Sequence, residues 1–250
     1  MNNTIEQKQR DYYNAIAAQY DRYKTNTYAL QYRYEMYDKF LKGLDINFTG
    51  MHVLDALSGG GESTGYFLAR NCTVSGLDIS DEQCKIYAER FPKSEIRCES
   101  ITKSTYPDGS CDFIVINGLH HTYPHLDLTI NELLRLLKPG GYLFLWEPAS
   151  KSIMDYFRKL WYRLDPHFFE ENEKSIDVKD IVRQYPFSKI KSVYGGHIAY
   201  LLVHSALQFR IPPAIIRYYA PTLMAFENNT ANIPRFFSCW VLALLQKVEG

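Results

Sequence analysis

The residues most able to do chemistry stand where predicted strands end and turns begin. Asp55 closes an apolar run and is followed by Ser58 and by three consecutive glycines, Gly59 to Gly61. Glycines let the backbone turn sharply and let a ligand lie directly against it. The N–H groups that open the following helix are unpaired and point into the same space. The sequence therefore predicts a ligand seated on this loop.

Asp78 ends the next predicted strand, 23 residues after Asp55. A carboxylate there is placed to accept hydrogen bonds from a ribose diol. Aspartate also caps helices, but Ser80 is the better cap for the helix that follows. The glycine loop is not the Gly-x-Gly-x-x-Gly fingerprint of dinucleotide folds, and the carboxylate of Glu62 opposes a diphosphate. We therefore expect a nucleoside with a zwitterionic or cationic tail, and not a dinucleotide of an oxidoreductase.

Two adjacent histidines, His120 and His121, follow the fourth predicted strand. A histidine titrates near neutral pH and can remove the proton of an acceptor hydroxyl. We expect one of them to be a general base, and His121 is the stronger candidate. Either histidine can instead pack structurally or cap the next helix. Glu147, His167 and His197 are weaker candidates for the wall of an acceptor site, because lone polar residues are usually solvated or satisfied.

Short β-rich runs alternate with helical runs from residue 51 onward, which predicts an α/β fold with a parallel sheet and right-handed crossovers. The predicted strands are His52–Ala56, Cys72–Leu77, Glu95–Cys98, Asp112–Ile116 and Tyr142–Trp146, with helices near 62–70, 80–90 and 125–137. In such sheets ligands bind beyond the carboxyl ends of the strands. The polar groups at the strand ends should therefore share one rim.

Aromatic-rich segments precede and follow this core. Residues 5–42 read as helices whose tyrosines recur at helical spacing; most should pack on the core, and Tyr20 is a candidate to close over a ligand as part of a lid. After residue 150 the expected elements are helices over 151–164 and 177–185, strands over 189–194 and 198–203, and a last strand over 238–247.

Composition narrows the classes of function. The 28 basic and 28 acidic residues balance, which argues against a nucleic-acid binder that works by general charge. The five cysteines show no Cys-x-x-Cys pair and no zinc spacing, so no metal is expected. The polar start, with Glu6 and Asp11, does not resemble a signal peptide, so a cytoplasmic chain without stable membrane insertion is expected. The apolar stretch 198–226 favours a homodimer interface or core over membrane contact.

Four motifs in register resemble the class I S-adenosylmethionine-dependent methyltransferases, of the kind that act on small molecules. Val53–Gly61 is similar to the first motif of that family and Val74–Ser80 to the second, while 107–112 and 137–141 resemble later signatures. The resemblance covers roughly residues 10–150. Leu57 departs from it, since it stands where the family usually has its first glycine, and we expect it to tighten the pocket or shift the loop.

The resemblance implies a role for each matching position. It places S-adenosyl-L-methionine as the cofactor, with Ser58, Gly59 and Gly61 along its methionine portion and Asp55 beneath the loop. Asp78 would hold the ribose and Ile79 would flank the adenine. Ser100, or Glu99 if the register differs by one, would receive the adenine amino group near the Ile101 amide. Asn117 would meet the amino-acid end.

The resemblance also implies a Rossmann-like, mostly parallel sheet with helices on both faces. We expect an N-terminal helical lid at 1–45, a cofactor-binding core at 46–150, and an acceptor-binding insertion with closing strands of the same domain at 151–250. The implied activity is methyl transfer to an oxygen or nitrogen of a small molecule such as a sugar, a polysaccharide precursor or a natural product. Two alternatives stay open: a lipid-like or quinone acceptor at a membrane surface, and a non-catalytic module that binds the cofactor.

Overall fold

A computed structural model describes residues 5–123, 125–164, 174–230 and 233–248 of the chain. Within these residues seven strands form one sheet in the order β3-β2-β1-β4-β5-β7-β6. The strands are β1 His52–Ala56, β2 Thr73–Asp78, β3 Ile96–Cys98, β4 Cys111–Asn117, β5 Leu137–Pro148, β6 Phe187–Gly195 and β7 Trp240–Lys247.

Helices precede, connect and follow these strands. The α-helices are α1 Ile5–Lys24, α2 Thr27–Leu41, α3 Thr64–Leu68, α4 Asp81–Arg90, α5 Leu126–Leu136, α6 Ile153–Leu164, α7 Val178–Gln184, α8 Pro213–Ile216 and α9 Ala220–Asn229. Short 3₁₀ turns cover Leu119–Thr122 and Arg235–Phe237, and a π-helical turn covers Tyr200–His204. Within the described part of the chain, no helix combines the length and apolar character that crossing a bilayer requires.

Most of the sheet is parallel. β1 pairs in parallel with both β2 and β4, and β2–β3 and β4–β5 are parallel as well. β7 runs antiparallel between β5 and β6. The chain order reverses between β1 and β4, and such a switch point opens a crevice at the carboxyl ends of the two strands. The topology therefore fixes where a ligand can enter.

Helices cover both faces of the sheet because side chains alternate along each strand. Val53 and Phe144 belong to a core that also holds Tyr37 of α2, whereas their neighbours Leu54 and Leu143 belong to a second core with α5 and α7. The α/β, mostly parallel, Rossmann-like fold expected from the sequence is confirmed.

One predicted element is shorter than expected, and another is wrong. The helix expected over 62–70 is limited to Thr64–Leu68, because residues 59–63 remain in turns. The strand expected over 198–203 is helical instead and ends in the π-helical turn Tyr200–His204. The β-rich composition of that run is overridden by a contact that the local sequence does not show.

That contact is the carboxylate of Glu227 on α9. Its Oε2 accepts hydrogen bonds from the backbone N–H groups of His197, Ala199 and Tyr200 at 3.2, 2.8 and 3.2 Å. The other oxygen accepts from the hydroxyl of Tyr32. Unpaired N–H groups at the start of a helix need such an acceptor, so a distant side chain selects helix over strand here.

Glu227→Ala tests this account. The substitution leaves three backbone N–H groups and a buried hydroxyl without their acceptor, and we expect a loss of roughly 2–4 kcal/mol in the free energy of unfolding. Urea denaturation followed by fluorescence measures it. Glu89→Ala, on an exposed position of α4, is the matched control and should change stability by less than about 0.5 kcal/mol. Equal effects of the two variants would contradict the capping role.

Candidate active site

A cavity lies at the carboxyl ends of the strands, at the switch point of the sheet. Its empty space amounts to about 810 Å³, a volume that includes open solvent at its mouth. Its walls come from α1, from the loops after β1, β2, β3 and β4, and from α4. The lining residues are Ile5, Glu6, Gln9, Tyr13, Tyr20, Leu57, Gly59, Asp78, Ile79, Gln83, Ser100, Ile101, Thr102, Asn117, His121, Thr122, Tyr123 and His125.

The structure brings together most of the residues singled out from the sequence. Those that line the cavity are Tyr20, Gly59, Asp78, Ile79, Ser100, Ile101, Asn117 and His121. Those among the described residues that do not line it are Asp55, Ser58, Gly61, His120, Glu147 and His197. His167 lies outside the described residues. The rule that ligand-binding groups gather at strand ends therefore identified part of the cavity wall. It also selected several residues that lie behind that wall and do not line the cavity.

Leu57 has a left-handed backbone, with φ of +56°. Such a conformation costs a side-chain-bearing residue roughly 1–2 kcal/mol, whereas glycine adopts it freely. Leu57 therefore retains the turn that a glycine would make, and it places a leucine side chain in the cavity wall. The expectation of a tighter pocket agrees with this position.

Asp78 joins the loop after β1 to the start of α4. Its Oδ2 accepts from the backbone N–H of Gly59 at 2.8 Å, and its Oδ1 accepts from that of Ser80 at 2.9 Å. Ser80 caps α4, as expected, through a hydrogen bond from the backbone N–H of Gln83. A carboxylate offers about four acceptor sites, so Asp78 keeps acceptor capacity toward the cavity.

Two residues expected along the methionine portion of the ligand do not line the cavity. A Cβ on Gly61 would lie 2.3 Å from the Phe91 ring, so only glycine leaves room for that ring. Ser58 is buried away from the cavity, and its hydroxyl has no hydrogen-bond partner among the described residues. Sequence reasoning placed both along the ligand because it could not tell which loop groups face inward.

A buried polar cluster lies directly behind Gly59 and Asn117. The carboxylate oxygens of Glu62 lie 3.0 Å from the position of a Cβ on Gly59. Asn117 donates to the hydroxyl of Ser63 at 2.8 Å and accepts from the hydroxyl of Tyr37 at 3.0 Å. These contacts hold the end of β4 against α2 and the loop after β1.

Arg33 of α2 completes that cluster and was missed from the sequence. Its guanidinium donates to Ser63 and Tyr37, each at 3.4 Å. Arg33 Nε and Glu62 Oε1 are buried without a hydrogen-bond partner among the described residues. The signal that could have found it is a cation four residues before Tyr37, on the face of α2 that carries the apolar stripe.

Glu147 does not form an acceptor wall. It is 1% exposed, and it accepts from the backbone N–H groups of Gly118, Leu119 and His120 at 3.0, 2.5 and 3.1 Å. It also lies 2.9 Å from Nδ1 of His120. Burial raises the pKa of Glu147 to about 7, against the lowering effect of these N–H groups. Glu147 and His120 together hold the loop after β4, so Glu147 is not the acceptor-wall residue that the sequence suggested, and His120 takes the structural role that the sequence left open.

Of the two adjacent histidines, His121 is the one that lines the cavity, which His125 lines as well. A Cβ on Gly118 would lie 2.7 Å from its ring, so the glycine makes room for it. The Tyr13 ring lies edge-on to it at 6.1 Å, and Gln9 donates to its carbonyl oxygen at 2.5 Å. The imidazole thus shares one cavity with the glycine loop and with Asp78, under α1.

Helix α1 lies across the cavity and is held by polar contacts near both of its ends. Glu6 accepts from the hydroxyls of Ser100 and Thr102 at 2.7 and 3.1 Å. Farther along α1, Asp21 pairs with Arg90 at 2.8 Å, and the same guanidinium donates to the carbonyl of Gly60 at 2.5 Å. The N-terminal helix therefore forms one wall of the site, with Tyr20 in that wall.

His197 belongs to a different cavity. That cavity is lined by α2 and by residues around β6, α9 and β7, and it shares no lining residue with the first among those described. The His197 ring lies 2.8 Å from the hydroxyl of Thr230. His197 is therefore not an acceptor residue of this site. No residue after His125 lines the first cavity in the described part of the chain.

Comparisons with known proteins agree with this geometry. Residues 54–145 match a family model described as a methyltransferase domain. An arsenite methyltransferase from Aquipseudomonas alcaligenes is 32% identical over 71% of this chain. The chain spans 55% of that relative's length.

Two solved structures share the fold. The [4+2]-cyclase SpnF superposes with a TM-score of 0.67 at 16% identity, covering 99% of this chain and 97% of the other. The 1,6-didemethyltoxoflavin-N1-methyltransferase of Burkholderia thailandensis, solved with S-adenosylhomocysteine, gives 0.58 at 15% identity, covering 97% and 88%. Residues 54–145 therefore form a methyltransferase domain of the class I, S-adenosylmethionine-dependent type, and S-adenosylmethionine is the cofactor of this domain.

Leu57 allows a test of backbone strain. Leu57→Gly and Leu57→Ala both remove the leucine contacts, but only glycine relieves the left-handed turn. We expect the glycine variant to be about 1 kcal/mol more stable than the alanine variant, measured by urea denaturation. At Leu68 in α3, the alanine variant should instead be more stable than the glycine variant by roughly 0.5–1 kcal/mol. An alanine advantage at Leu57 would contradict the strained turn.

Asp55 makes stability depend on pH. Burial raises the pKa of Asp55 to about 8, although the hydroxyl of Thr64 donates to it at 2.8 Å. The unfolded chain loses this proton near pH 4, so the unliganded protein should lose stability as pH rises from about 4 to 8. Asp55→Asn should reduce this loss of stability with rising pH. Asp45→Asn, on an exposed loop, should leave it unchanged. Thermal unfolding across that range measures it, and an unchanged profile in Asp55→Asn would refute the assignment.

Proposed function

We propose that this chain transfers a methyl group from S-adenosylmethionine to an oxygen or nitrogen of a small-molecule acceptor, with His121 as the general base. The observation that carries the proposal is that the His121 side chain shares one cavity with Gly59, Asp78 and Asn117. A proton acceptor and the residues that the family resemblance assigns to the cofactor are thereby brought together at the switch point of the sheet.

The buried polar cluster fits the amino-acid end of the cofactor. The partnerless Oε1 of Glu62 suits an ammonium group, and the partnerless Nε of Arg33 suits a carboxylate. Glu62 lies directly behind the lining residue Gly59, and Arg33 is linked to the lining residue Asn117 through the hydroxyl of Ser63. We propose that Asp78 accepts from the ribose hydroxyls and that Ile79 and Ile101 flank the adenine, with Ser100 at its edge.

The chain's own residues would then act on the acceptor. S-adenosylmethionine supplies an electrophilic methyl group carried on a sulfonium. His121 would take the proton of the acceptor hydroxyl or amine as the acceptor attacks, and Tyr13 and Tyr20 would exclude water from the reacting atoms. Glu147 and His120 would keep the loop that carries His121 in place. We assign α1 as the lid over this site.

A small acceptor is supported by the relatives. The names of two proteins compared above refer to arsenite and to didemethyltoxoflavin, which are small molecules. We therefore favour a small-molecule acceptor.

A second candidate function is a cofactor-binding protein that transfers no methyl group. The fold likeness to a protein named as a [4+2]-cyclase spans 99% of this chain. The fold alone therefore does not require methyl transfer. The two candidates share the cofactor site and differ in the fate of the methyl group.

The first experiment separates these candidates. Calorimetry should show binding of S-adenosylhomocysteine and no binding of NADH. Incubation of the protein with isotope-labelled S-adenosylmethionine and metabolite pools, read by mass spectrometry, should reveal a methylated product. Tight cofactor binding without any methylated product would favour the second candidate.

Once the acceptor is identified, His121→Ala should lower turnover by roughly 10²–10⁴-fold, because the general base is lost. The affinity for S-adenosylhomocysteine should stay within about threefold, since the substitution removes no proposed cofactor hydrogen bond. His197→Ala, in the other cavity, is the matched control and should keep its turnover. Undiminished turnover in His121→Ala would remove His121 from the role of base.

A further inference from the structure

Gln83, in the first turn of α4, is a lining residue that the proposed mechanism does not use. It lies in the cavity wall and is 1% exposed. Both polar atoms of its side chain, Oε1 and Nε2, are buried without a hydrogen-bond partner among the described residues. The cap hydrogen bond from its backbone N–H to Ser80 fixes the turn from which the side chain projects.

A buried amide with neither donor nor acceptor satisfied is unfavourable, and native proteins rarely keep one without a reason. The other polar groups at this end of the cavity already have partners, because Ser100 and Thr102 are bonded to each other and to Glu6. The Gln83 amide therefore offers an unused donor beside an unused acceptor, in a wall that also holds Ile79 and Ile101.

An adenine ring presents the complementary pair. Its N7 accepts and its N6 amino group donates, and a glutamine or asparagine amide matches this edge with two hydrogen bonds. Ser100 and Ile101 follow β3, whereas Gln83 follows β2, so the two sets reach the base from different loops. The family resemblance gives the amino group and its neighbouring edge to Ser100 and Ile101, which leaves the N7 side for α4.

We infer that Gln83 reads the N7 and N6 edge of the cofactor's adenine, donating to N7 through Nε2 and accepting from the amino group through Oε1. The inference rests on the cofactor and not on the proposed methyl transfer. It makes Gln83 a base-specificity residue of this chain.

The test compares S-adenosylhomocysteine with its 7-deaza analogue, in which a C–H group replaces N7. Calorimetry on the wild-type protein should show the analogue binding about tenfold more weakly, as expected for one lost buried hydrogen bond. In Gln83→Met, of similar volume, S-adenosylhomocysteine itself should bind roughly 10–50-fold more weakly. The discrimination between the two ligands should then fall to within about twofold. Gln31→Met, on the exposed face of α2, should behave as the wild type.

Unliganded stability distinguishes recognition from a structural role. Gln83→Met should melt at the same temperature as the wild type or higher, because it removes a partnerless buried amide. Gln83→Glu serves as a second variant: its extra oxygen would face the N7 lone pair, so it should bind the 7-deaza analogue at least as well as S-adenosylhomocysteine. Undiminished discrimination in both variants would overturn the inference. So would a lower unliganded melting temperature with equal losses of affinity for both ligands.

Discussion

The site depends on one carboxylate, that of Asp78, which accepts from the backbone of two loops at once. One hydrogen bond comes from Gly59 in the loop after β1 and the other from Ser80 at the cap of α4. Parallel strands bring these loops to the same edge of the sheet, but they do not fix the distance between them. Asp78 supplies that constraint, so the glycine loop, the helix that carries Gln83 and the cavity wall between them are positioned as one unit.

The carboxylates of Glu147 and Glu227 likewise accept hydrogen bonds from backbone N–H groups. Glu147 holds the N–H groups of the loop that carries His121, and Glu227 caps the helical segment that was expected to be a strand. Buried carboxylates in an α/β enzyme suggest catalysis or ligand binding. Here two of them fix loops and helix starts, which leaves His121 as the titratable side chain proposed for chemistry.

The fold class, the parallel pairing of the sheet and part of the cavity wall follow from the sequence, because alternation and strand-end position are local properties of the chain. The direction in which a loop side chain faces is not a local property of the chain. Gly61 packs against Phe91 and Glu147 turns back under the loop after β4, each because of a contact with a distant segment. The same reason explains the helical turn at Tyr200–His204 and the unforeseen place of Arg33.

The acids beneath the glycine loop also change how the site handles charge. Burial is the largest influence that raises the pKa values of Asp55, Glu62 and Asp78. A cationic ligand favours their ionised forms, whereas a neutral thioether in the same place does not. Because burial raises the pKa of Asp55 to about 8, each reaction cycle of the proposed kind would exchange a proton between Asp55 and the solvent as the sulfonium charge arrives and disappears. The heat of cofactor binding should then vary with the ionisation enthalpy of the buffer, and re-protonation of Asp55 would favour departure of the spent cofactor.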